Sequence, residues 1–406
     1  MNTKSIKKCR SCFSGKLINI LSLGEQYLSD FSEGKLMPSK SPLDLMLCRN
    51  CNLVQLKHTV YPSLLYTERY GYKSGINNTM KEELQKIVIS VLKKINNNEE
   101  ITALDIGAND GTLLSYYPKN VFKIAFEPIE KFAKESKMHA NVVINDFFDS
   151  NIYMHKLKRQ KANIITAISC FYDIDKPNDF IEGIKKILQK DGVFVIQQNY
   201  LVGMIINNAF DNIVHEHLEY YSILSLENLL SRHGLEIFHV EESSINGGSF
   251  ITFVAHKNSR SIQESVFRWR ENEKALKLDR VKIYKDFARR VNKNKKDLYL
   301  LIEKLDKEGK NVYVYGASTR GNTLLQFYQL NNSLIKAAVE RNPEKWGKNI
   351  SSVGIPIISE EQARKQKPDY MLVLPWFFKE EFLEREKRYL ESGGHFIFPL
   401  PKIEII

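Results

Sequence analysis

The chain carries two pairs of closely spaced cysteines whose thiolates could hold a metal ion. Cys9 and Cys12 form one C-x-x-C pair, and Cys48 and Cys51 form the other. Four thiolate ligands suit a tetrahedral zinc ion, and four sulfurs leave no open position for water. We therefore expect a structural zinc. Two disulfides are the alternative, but a bridge within either pair would close a very small, strained loop.

A second set of residues with chemical potential consists of acidic side chains that follow short apolar stretches. Asp105 and Asp110 flank a glycine turn whose spacing is G-x-x-x-G rather than the G-x-G-x-x-G of dinucleotide sites, so NAD is disfavoured. Carboxylates would instead attract the positively charged methionine portion of S-adenosylmethionine. Glu127 is placed to accept the ribose hydroxyls, and Asp146 to accept the adenine amino group.

The full set of predicted cofactor residues is Asp105, Gly107, Asn109, Asp110, Gly111, Glu127, Asp146, Gln198 and Asn199. Two simpler explanations remain open. Carboxylates often cap turns, and the glycines could serve turn geometry alone.

Strands and helices must position these residues, and the hydrophobic pattern predicts them. Apolar stretches that alternate with helical ones indicate a doubly wound parallel sheet. The predicted strands are 101–106, 122–126, 142–144, 163–169 and 192–196. An amphipathic helix at 78–94 and a polar turn at 96–100 precede them. A second α/β unit is predicted from strands at 311–315, 337–339 and 370–374.

The predicted fold class is therefore α/β, with three units and a connector in 406 residues. These are a small, strand-poor zinc-binding module (1–62), a Rossmann-like S-adenosylmethionine domain (63–255), a helical connector (256–310) and a C-terminal Rossmann-like α/β substrate-binding domain (311–406).

Composition limits the partners and the compartment. The net charge is +11, but Lys and Arg are dispersed and form no arginine-rich or aromatic-basic cluster, so we expect no nucleic-acid partner. No run of eighteen apolar residues predicts a membrane span. No apolar signal segment precedes Cys9, and the cysteine usage fits a reducing compartment, so we expect a cytoplasmic protein.

Several motifs, in this order, resemble those of the zinc-containing sugar C-methyltransferases that act on nucleotide-linked 4-keto-deoxysugars. They are the paired cysteines, IGANDGTL at 106–113, DNIVHEHLEYYS at 211–222, NGGS at 246–249 and LPW at 374–376. The resemblance covers essentially the whole chain. It implies an S-adenosylmethionine cofactor, a structural zinc, and a sugar nucleotide held between the central and C-terminal domains.

Methylation at carbon requires a base that removes the proton next to a ketone and a donor for the enolate oxygen. His217 fits the base, with a pKa near neutral and Glu216 to orient it, and the resemblance assigns the base to the matching histidine. A metal pair with His215 and a buried structural histidine are the alternatives. Tyr70 and Tyr72 resemble the tyrosine-rich stretch near the reacting centre, although they could be ordinary anchors.

Two positions depart from the family pattern. Members that methylate C3 commonly carry a histidine where this chain has Asp173, and a tyrosine where it has Val214. The sugar and the methylated carbon therefore stay open, and Asp173 is the second candidate for the base.

Arg320, in the glycine-containing loop 316–321, would suit a diphosphate, or could be merely exposed in a vestigial turn. The predicted substrate-binding residues are Tyr200, His215, Asn246 and Arg320.

The leading hypothesis is an S-adenosylmethionine-dependent C-methyltransferase that acts on C3 of a nucleotide-linked 4-keto-deoxysugar. The alternatives are an O- or N-methyltransferase on a nucleotide sugar and a non-catalytic zinc-bearing binding module. We expect a monomer.

Overall fold

The computed structural model describes residues 3–32, 37–68, 70–95, 100–158 and 160–406. The predicted polar turn at 96–100 lies almost wholly outside these ranges.

The strands in chain order are β1 (Thr3–Ser5), β2 (Leu17–Tyr27), β3 (Phe31–Ser32), β4 (Lys40–Cys48), β5 (Val54–Leu56), β6 (His58–Val60), β7 (Thr102–Ile106), β8 (Phe122–Phe126), β9 (Val142–Ile144), β10 (Ala162–Ile168), β11 (Leu188–Asn199), β12 (Glu219–Tyr220), β13 (Leu235–Ser243), β14 (Ser249–His256), β15 (Val312–Tyr315), β16 (Ala338–Glu340), β17 (Asn349–Ile350), β18 (Ile355–Ser359), β19 (Tyr370–Val373), β20 (His395–Phe398) and β21 (Glu404–Ile405).

The α-helices are α1 (Pro62–Leu65), α2 (Asn78–Leu92), α3 (Thr112–Ser115), α4 (Glu130–Ser136), α5 (Ser150–Lys156), α6 (Pro177–Ile187), α7 (Leu201–Ile206), α8 (Ile223–Arg232), α9 (Glu264–Leu276), α10 (Val281–Lys307), α11 (Thr319–Tyr328), α12 (Glu360–Gln366), α13 (Lys379–Arg385) and α14 (Lys387–Glu391). None of the helices within the described ranges is long and apolar enough to cross a membrane.

The central sheet has seven strands in the order β13-β14-β11-β10-β7-β8-β9. Strands β7 to β11 are mutually parallel, β14 pairs antiparallel with β11, and β13 pairs antiparallel with β14. The five predicted strands of this unit are all present, and β11 is longer at both ends than predicted. Because the parallel strands end at one edge, the loops after β7, β8, β9 and β10 meet there.

The N-terminal segment is rich in strands, so the prediction of a strand-poor module was wrong. β2 and β4 form a long antiparallel pair, and the four-stranded sheet has the order β12-β5-β4-β2. The inward side chains of β4 are buried, including Leu43, Leu45 and Leu47. This sheet recruits β12, which lies about 160 residues after β5 in the sequence. The local sequence around β5 therefore gives little indication that it pairs with β12.

The C-terminal sheet has eight strands in the order β21-β20-β19-β15-β16-β18-β17-β3. The three predicted strands of this unit correspond to β15, β16 and β19, which run parallel. Its last strand, β3, comes from the N-terminal segment. The long helix α10 packs on β2 and β15, and its buried residues join one hydrophobic core with both sheets. The four predicted domain ranges stay predictions.

Candidate functional site

The four predicted metal ligands converge in space. The sulfurs of Cys9, Cys12, Cys48 and Cys51 all lie within 4.8 Å of one another, with Cys9 to Cys51 at 3.6 Å and Cys12 to Cys48 at 3.5 Å. A tetrahedral zinc with sulfurs at about 2.3 Å holds them about 3.8 Å apart. Disulfide sulfurs would be bonded at about 2.05 Å, and these cysteines are free. The donor set therefore fits a structural zinc and not two disulfides.

The surroundings of the sulfurs act in both directions. Burial raises the pKa of the Cys48 thiol to about 11, and the hydrogen bond with Cys9 together with burial raises the pKa of the Cys51 thiol, whereas N–H donors stabilise negative charge on sulfur. Gln55 Nε2 donates to Cys9 Sγ at 3.2 Å, and the backbone N–H of Asn50 donates to Cys48 Sγ at 3.4 Å. The hydrogen bond with Cys51, against the opposing effect of burial, lowers the pKa of the Cys9 thiol to about 5. N–H donors around sulfur stabilise its negative charge, as a metal thiolate site requires.

A cavity of about 510 Å³ opens at the carboxyl edge of the central sheet, a size typical of ligand sites. Eight of the predicted site residues line it: Tyr70, Tyr72, Asp105, Gly107, Asn109, Glu127, Asp146 and Asp173. The others lie outside its lining as the described residues define it: Asp110, Gly111, Gln198, Asn199, Tyr200, His215, Glu216, His217, Asn246 and Arg320.

Glu127, at the end of β8, is the best-placed carboxylate in the cavity. It is 4% exposed, and its two oxygens accept the backbone N–H groups of Asn109 and Ile129, each at 2.8 Å. Burial raises the pKa of this carboxyl, and the two backbone donors oppose that rise. Each oxygen keeps a further lone pair, so the carboxylate can also accept two ribose hydroxyls.

Asp105 lies inside β7 and accepts a hydrogen bond from Thr166 Oγ1 at 2.6 Å. Burial raises the pKa of its carboxyl to about 7. Gly107, with φ of +70°, lies where a Cβ would meet Cys170 at 3.3 Å. Asp146 is exposed at the cavity rim, and its own Oδ1 accepts the N–H of Phe147.

Asn109 and Asp110 hold a cover segment, residues 70–75, over the cavity. Asn109 Oδ1 accepts the N–H of Ser74 at 3.0 Å, and its Nδ2 donates to Tyr72 O at 3.2 Å. Asp110 Oδ2 accepts the N–H of Gly75 at 2.9 Å, while its Oδ1 accepts from Thr112 at the start of α3. These side chains therefore brace the segment that carries the predicted catalytic tyrosines.

The turn geometry explains Gly111 without a ligand. Its φ is +80°, and a Cβ there would lie 2.9 Å from the Cα of Ser136. Glycine is required for this turn to pack on α4.

Asp173, which follows β10, is joined to the tyrosine-rich stretch. Tyr66, four residues before Tyr70, donates its hydroxyl to Asp173 Oδ2 at 2.9 Å. Asp173 Oδ1 is buried and has no hydrogen-bond partner among the described residues. Burial raises the pKa of the Asp173 carboxyl well above its usual value, and the nearby charges of Glu216 and Glu219 add to the rise. This carboxyl is poised to carry a proton or to meet a donor from a ligand.

His217 has a fixed ring orientation. Its Nδ1 lies 2.8 Å from the carbonyl oxygen of Asn212. A carbonyl oxygen can only accept, so Nδ1 carries the proton and Nε2 keeps its lone pair. The ring of Tyr172 stands edge-on to the imidazole, with centroids 4.5 Å apart. Tyr172 directly precedes Asp173, which lines the cavity.

The expectation of a near-neutral pKa for His217 was wrong. Burial, with a smaller effect from the Arg320 charge and opposed by the bond to Asn212, lowers the pKa of this imidazole to about 3. The imidazole is thus neutral at physiological pH, with its one proton on Nδ1. Its neighbour Glu216 behaves oppositely, because burial raises the pKa of that carboxyl to about 7. Of these two neighbours, Glu216 is the one whose pKa lies near neutral.

Buried amide groups at the end of β11 lack partners in the described structure. Both side-chain polar atoms of Gln198 are unbonded, and so is Asn199 Oδ1. Neither residue lines the cavity, so their predicted cofactor role stays a prediction.

Three of the predicted substrate residues are engaged by the protein itself. His215 Nε2 donates to Ser41 O at 2.9 Å, and burial lowers the pKa of its imidazole to about 4. The Tyr200 ring packs against Phe250 and Trp269. Asn246, with φ of +58°, contacts Arg320 through both its side chain and its carbonyl.

Arg320 is neither exposed nor free. Its Nε donates to Asp211 Oδ2 at 2.9 Å, and one terminal nitrogen donates to the same oxygen. Trp376 Nε1 donates to that oxygen at 3.2 Å, and the guanidinium lies 4.5 Å from the centre of the Phe377 ring. The prediction that Arg320 binds a diphosphate stays untested, but most of its donors are already used.

Three family models match successive parts of the chain: a zinc binding domain at 9–66, a methyltransferase domain at 76–240 and a C-methyltransferase C-terminal domain at 244–401. C-methyltransferase NovU of Streptomyces niveus is 28% identical over 414 residues, which cover 99% of this chain and 97% of NovU. The chain is thus similar to zinc-containing C-methyltransferases over nearly its whole length. It is an S-adenosylmethionine-dependent enzyme with a structural zinc module.

Two solved methyltransferase structures each match a little under half of this C-methyltransferase. A methyltransferase from Clostridium acetobutylicum is 14% identical and covers 45% of this chain and 94% of its own, with a TM-score of 0.34. Magnesium protoporphyrin IX methyltransferase from Synechocystis with bound S-adenosylhomocysteine is 11% identical and covers 46% and 91%, with a TM-score of 0.36. These scores are too low to support an argument.

Sequence reasoning missed several residues at the site. Tyr66 could have been found, because it lies in the same tyrosine-rich stretch as Tyr70. Cys170, Asp175 and Asp179 line the cavity, yet no spacing marks them. Asn212 acts through its backbone carbonyl, which leaves no signal in side-chain type.

Proposed function

We propose that this C-methyltransferase transfers a methyl group to carbon C3, next to the ketone of a nucleotide-linked 4-keto-deoxysugar. The observation that supports this most is the arrangement of His217. Its Nδ1 proton is committed to the Asn212 carbonyl, so Nε2 keeps the free lone pair, and its ring contacts Tyr172, which directly precedes Asp173 of the cavity lining. A base must present a free lone pair to the carbon-bound proton, and the neutral imidazole does so, although burial makes it a weaker base than a histidine in water.

In the proposed reaction His217 Nε2 takes the proton from C3. The electron pair of the broken C–H bond moves toward the neighbouring carbonyl carbon, and the carbonyl oxygen becomes an enolate oxygen. S-adenosylmethionine supplies the methyl group when bound. The nucleophilic carbon would form the new C–C bond as the S–CH₃ bond breaks. The electron pair of that bond would stay on the sulfur, S-adenosylhomocysteine would leave, and the ketone would be restored.

The enolate oxygen needs a hydrogen-bond donor, and the cover segment offers two. Tyr70 and Tyr72 both line the cavity. Burial raises the pKa of the Tyr70 phenol, while the Tyr72 side chain is 45% exposed and a phenol in water ionises only near pH 10. They therefore stay protonated and can donate at neutral pH. Glu216, with its raised pKa, can also donate while it holds a proton. We propose that these groups surround the ketone.

Solvent exchange tests the proposal. A nucleotide-linked 4-keto-6-deoxysugar incubated in D₂O with the wild-type enzyme should lose its C3 proton signal, because proton removal precedes methyl transfer. His217→Ala should bind S-adenosylhomocysteine normally, yet lose about 10²- to 10⁴-fold in exchange and in methyl transfer. His155→Ala changes an exposed histidine on α5 and should behave as wild type.

Exchange at the wild-type rate in His217→Ala would assign the base elsewhere, with Asp173 as the next candidate. A reduced substrate that has a hydroxyl in place of the ketone gives a further control. Its methylation would contradict the proposed chemistry, because no enolate can form.

A further inference from the structure

The orientation of His217 depends on the backbone at residues 210–212. The Asn212 carbonyl accepts the His217 Nδ1 proton at 2.8 Å and the Tyr220 hydroxyl at 3.3 Å. This carbonyl ends a short 3₁₀ turn, Phe210–Asn212. A shift of that turn would move the acceptor and release the imidazole to rotate or to change its tautomer.

Side chains of the C-terminal unit bind the same turn through hydrogen bonds to Asp211. The Asp211 side chain is buried, and its Oδ2 accepts from Arg320 of α11 and from Trp376 Nε1. Arg320 also donates to Asn246, from Nη1 to Oδ1 at 3.3 Å and from Nη2 to the carbonyl oxygen at 3.2 Å. The guanidinium therefore ties the turn to α11 and to the loop that carries Asn246.

We propose that Arg320 is a positioning residue for His217, acting through Asp211 and the Asn212 carbonyl. The inference rests on the proposed function, in which His217 is the base. A buried carboxylate without a cation is costly, so removal of the guanidinium would leave Asp211 uncompensated and displace the turn. An arginine that donates two hydrogen bonds to one carboxylate has few N–H donors free for a diphosphate.

The kinetic test compares Arg320→Lys and Arg320→Gln with wild type, using the nucleotide-linked 4-keto-6-deoxysugar and C3 exchange in D₂O. Lysine keeps the charge but loses the fork that joins Asp211 to Asn246. We expect the maximal exchange rate to fall on the order of 10²-fold in Arg320→Gln and less in Arg320→Lys, because small displacements of a catalytic group cost that much. KM and the affinity for S-adenosylhomocysteine should stay close to the wild-type values.

A rise in KM with an unchanged maximal rate would overturn the inference and favour substrate binding by Arg320. If the Arg320 variants fail to fold, Trp376→Phe removes one donor to Asp211 and keeps the aromatic ring. It should lower the maximal rate by about tenfold, as expected for a lost bond to a charged group. An unchanged rate in that variant contradicts the inference.

A readout that needs no turnover separates this inference from the proposed function. In ¹⁵N-histidine-labelled enzyme, His217 should carry its proton on Nδ1 in wild type and become a tautomer mixture in Arg320→Gln. An unchanged tautomer overturns the positioning role even if the wild-type enzyme shows no exchange. Absence of exchange in wild type, with the tautomer shift present, would instead count against the proposed function alone.

Discussion

Arg10, within the first cysteine pair, bonds to a residue of the cavity wall. Arg10→Met should therefore lower the stability and the maximal rate of the enzyme without removing the metal. Arg10 lies between Cys9 and Ser11 and is 5% exposed. Its guanidinium donates to Asp175 Oδ1 at 3.1 Å, to Leu56 O at 2.6 Å and to Thr59 Oγ1 at 2.8 Å. Asp175 lines the cavity two residues after Asp173.

The magnitude follows from what the substitution leaves behind. Leu56 O loses a buried donor, which costs about 1 to 3 kcal/mol. The pair with Asp175 contributes about 1 kcal/mol, because that carboxylate is 32% exposed and can be solvated. Thr59 keeps its own bond to Asp175 at 2.8 Å. The free energy of unfolding should fall by roughly 2 to 4 kcal/mol, since methionine retains most of the packing.

The assay combines three measurements on Arg10→Met. Zinc content should stay at one ion per chain, because the four sulfurs are untouched. The midpoint of urea unfolding should fall, and the maximal rate of methyl transfer should drop about tenfold as the wall at Asp173 to Asp175 loosens. Arg49→Met is the matched control: Arg49 holds the same position in the other cysteine pair but is exposed, so it should change stability by about 0.5 kcal/mol or less. Wild-type stability and rate in Arg10→Met would refute the reasoning.

Two further predictions concern carboxylates of the site. Glu127→Gln replaces one acceptor oxygen by an amide nitrogen that cannot accept a hydrogen bond. The dissociation constant for S-adenosylhomocysteine, measured by calorimetry, should therefore rise on the order of tenfold or more. Glu130→Gln changes an exposed carboxylate and is the control, and an unchanged constant in Glu127→Gln excludes Glu127 from the site. Burial raises the pKa of Glu216 from 4.5 to about 7, so the folded state holds an extra proton between these values and this group's contribution to stability falls as pH rises through that window. Between pH 4 and 8 the wild type should therefore lose roughly 3 kcal/mol more than Glu216→Gln in urea unfolding, and parallel pH profiles would contradict the burial of this carboxyl.

The sequence predicted the central sheet well because its strands are continuous apolar runs that end in glycine or acidic turns. The zinc ligands were also within reach, since their spacing alone restricts the geometry. The strand-rich N-terminal sheet was not, because β2 contains Ser22, Gly24 and Glu25 and its sheet depends on a strand from far along the chain. Strand formation there follows from tertiary pairing rather than from local propensity.

The roles of polar residues were harder to predict than their location. Asn109 and Asp110 lie at the predicted edge of the cavity, yet their partners come from residues 72–75, and no local pattern reports that contact. Likewise the partner of Arg320 lies 109 residues away in sequence. The pKa of His217 depends on burial by several elements at once, so residue type and neighbours could not give its direction.

The segment that carries His217 is bonded at both ends to parts of the chain outside the central sheet. Upstream, Asp211 is gripped by Arg320 and Trp376 of the C-terminal unit. Downstream, β12 begins two residues after His217 and pairs with β5, whose Gln55 donates to the zinc ligand Cys9. The cavity lies at the edge of the central sheet, but that sheet provides neither of these two contacts. The N-terminal sheet and the C-terminal unit thus both contact the short irregular segment that carries His217, one on each side of that residue.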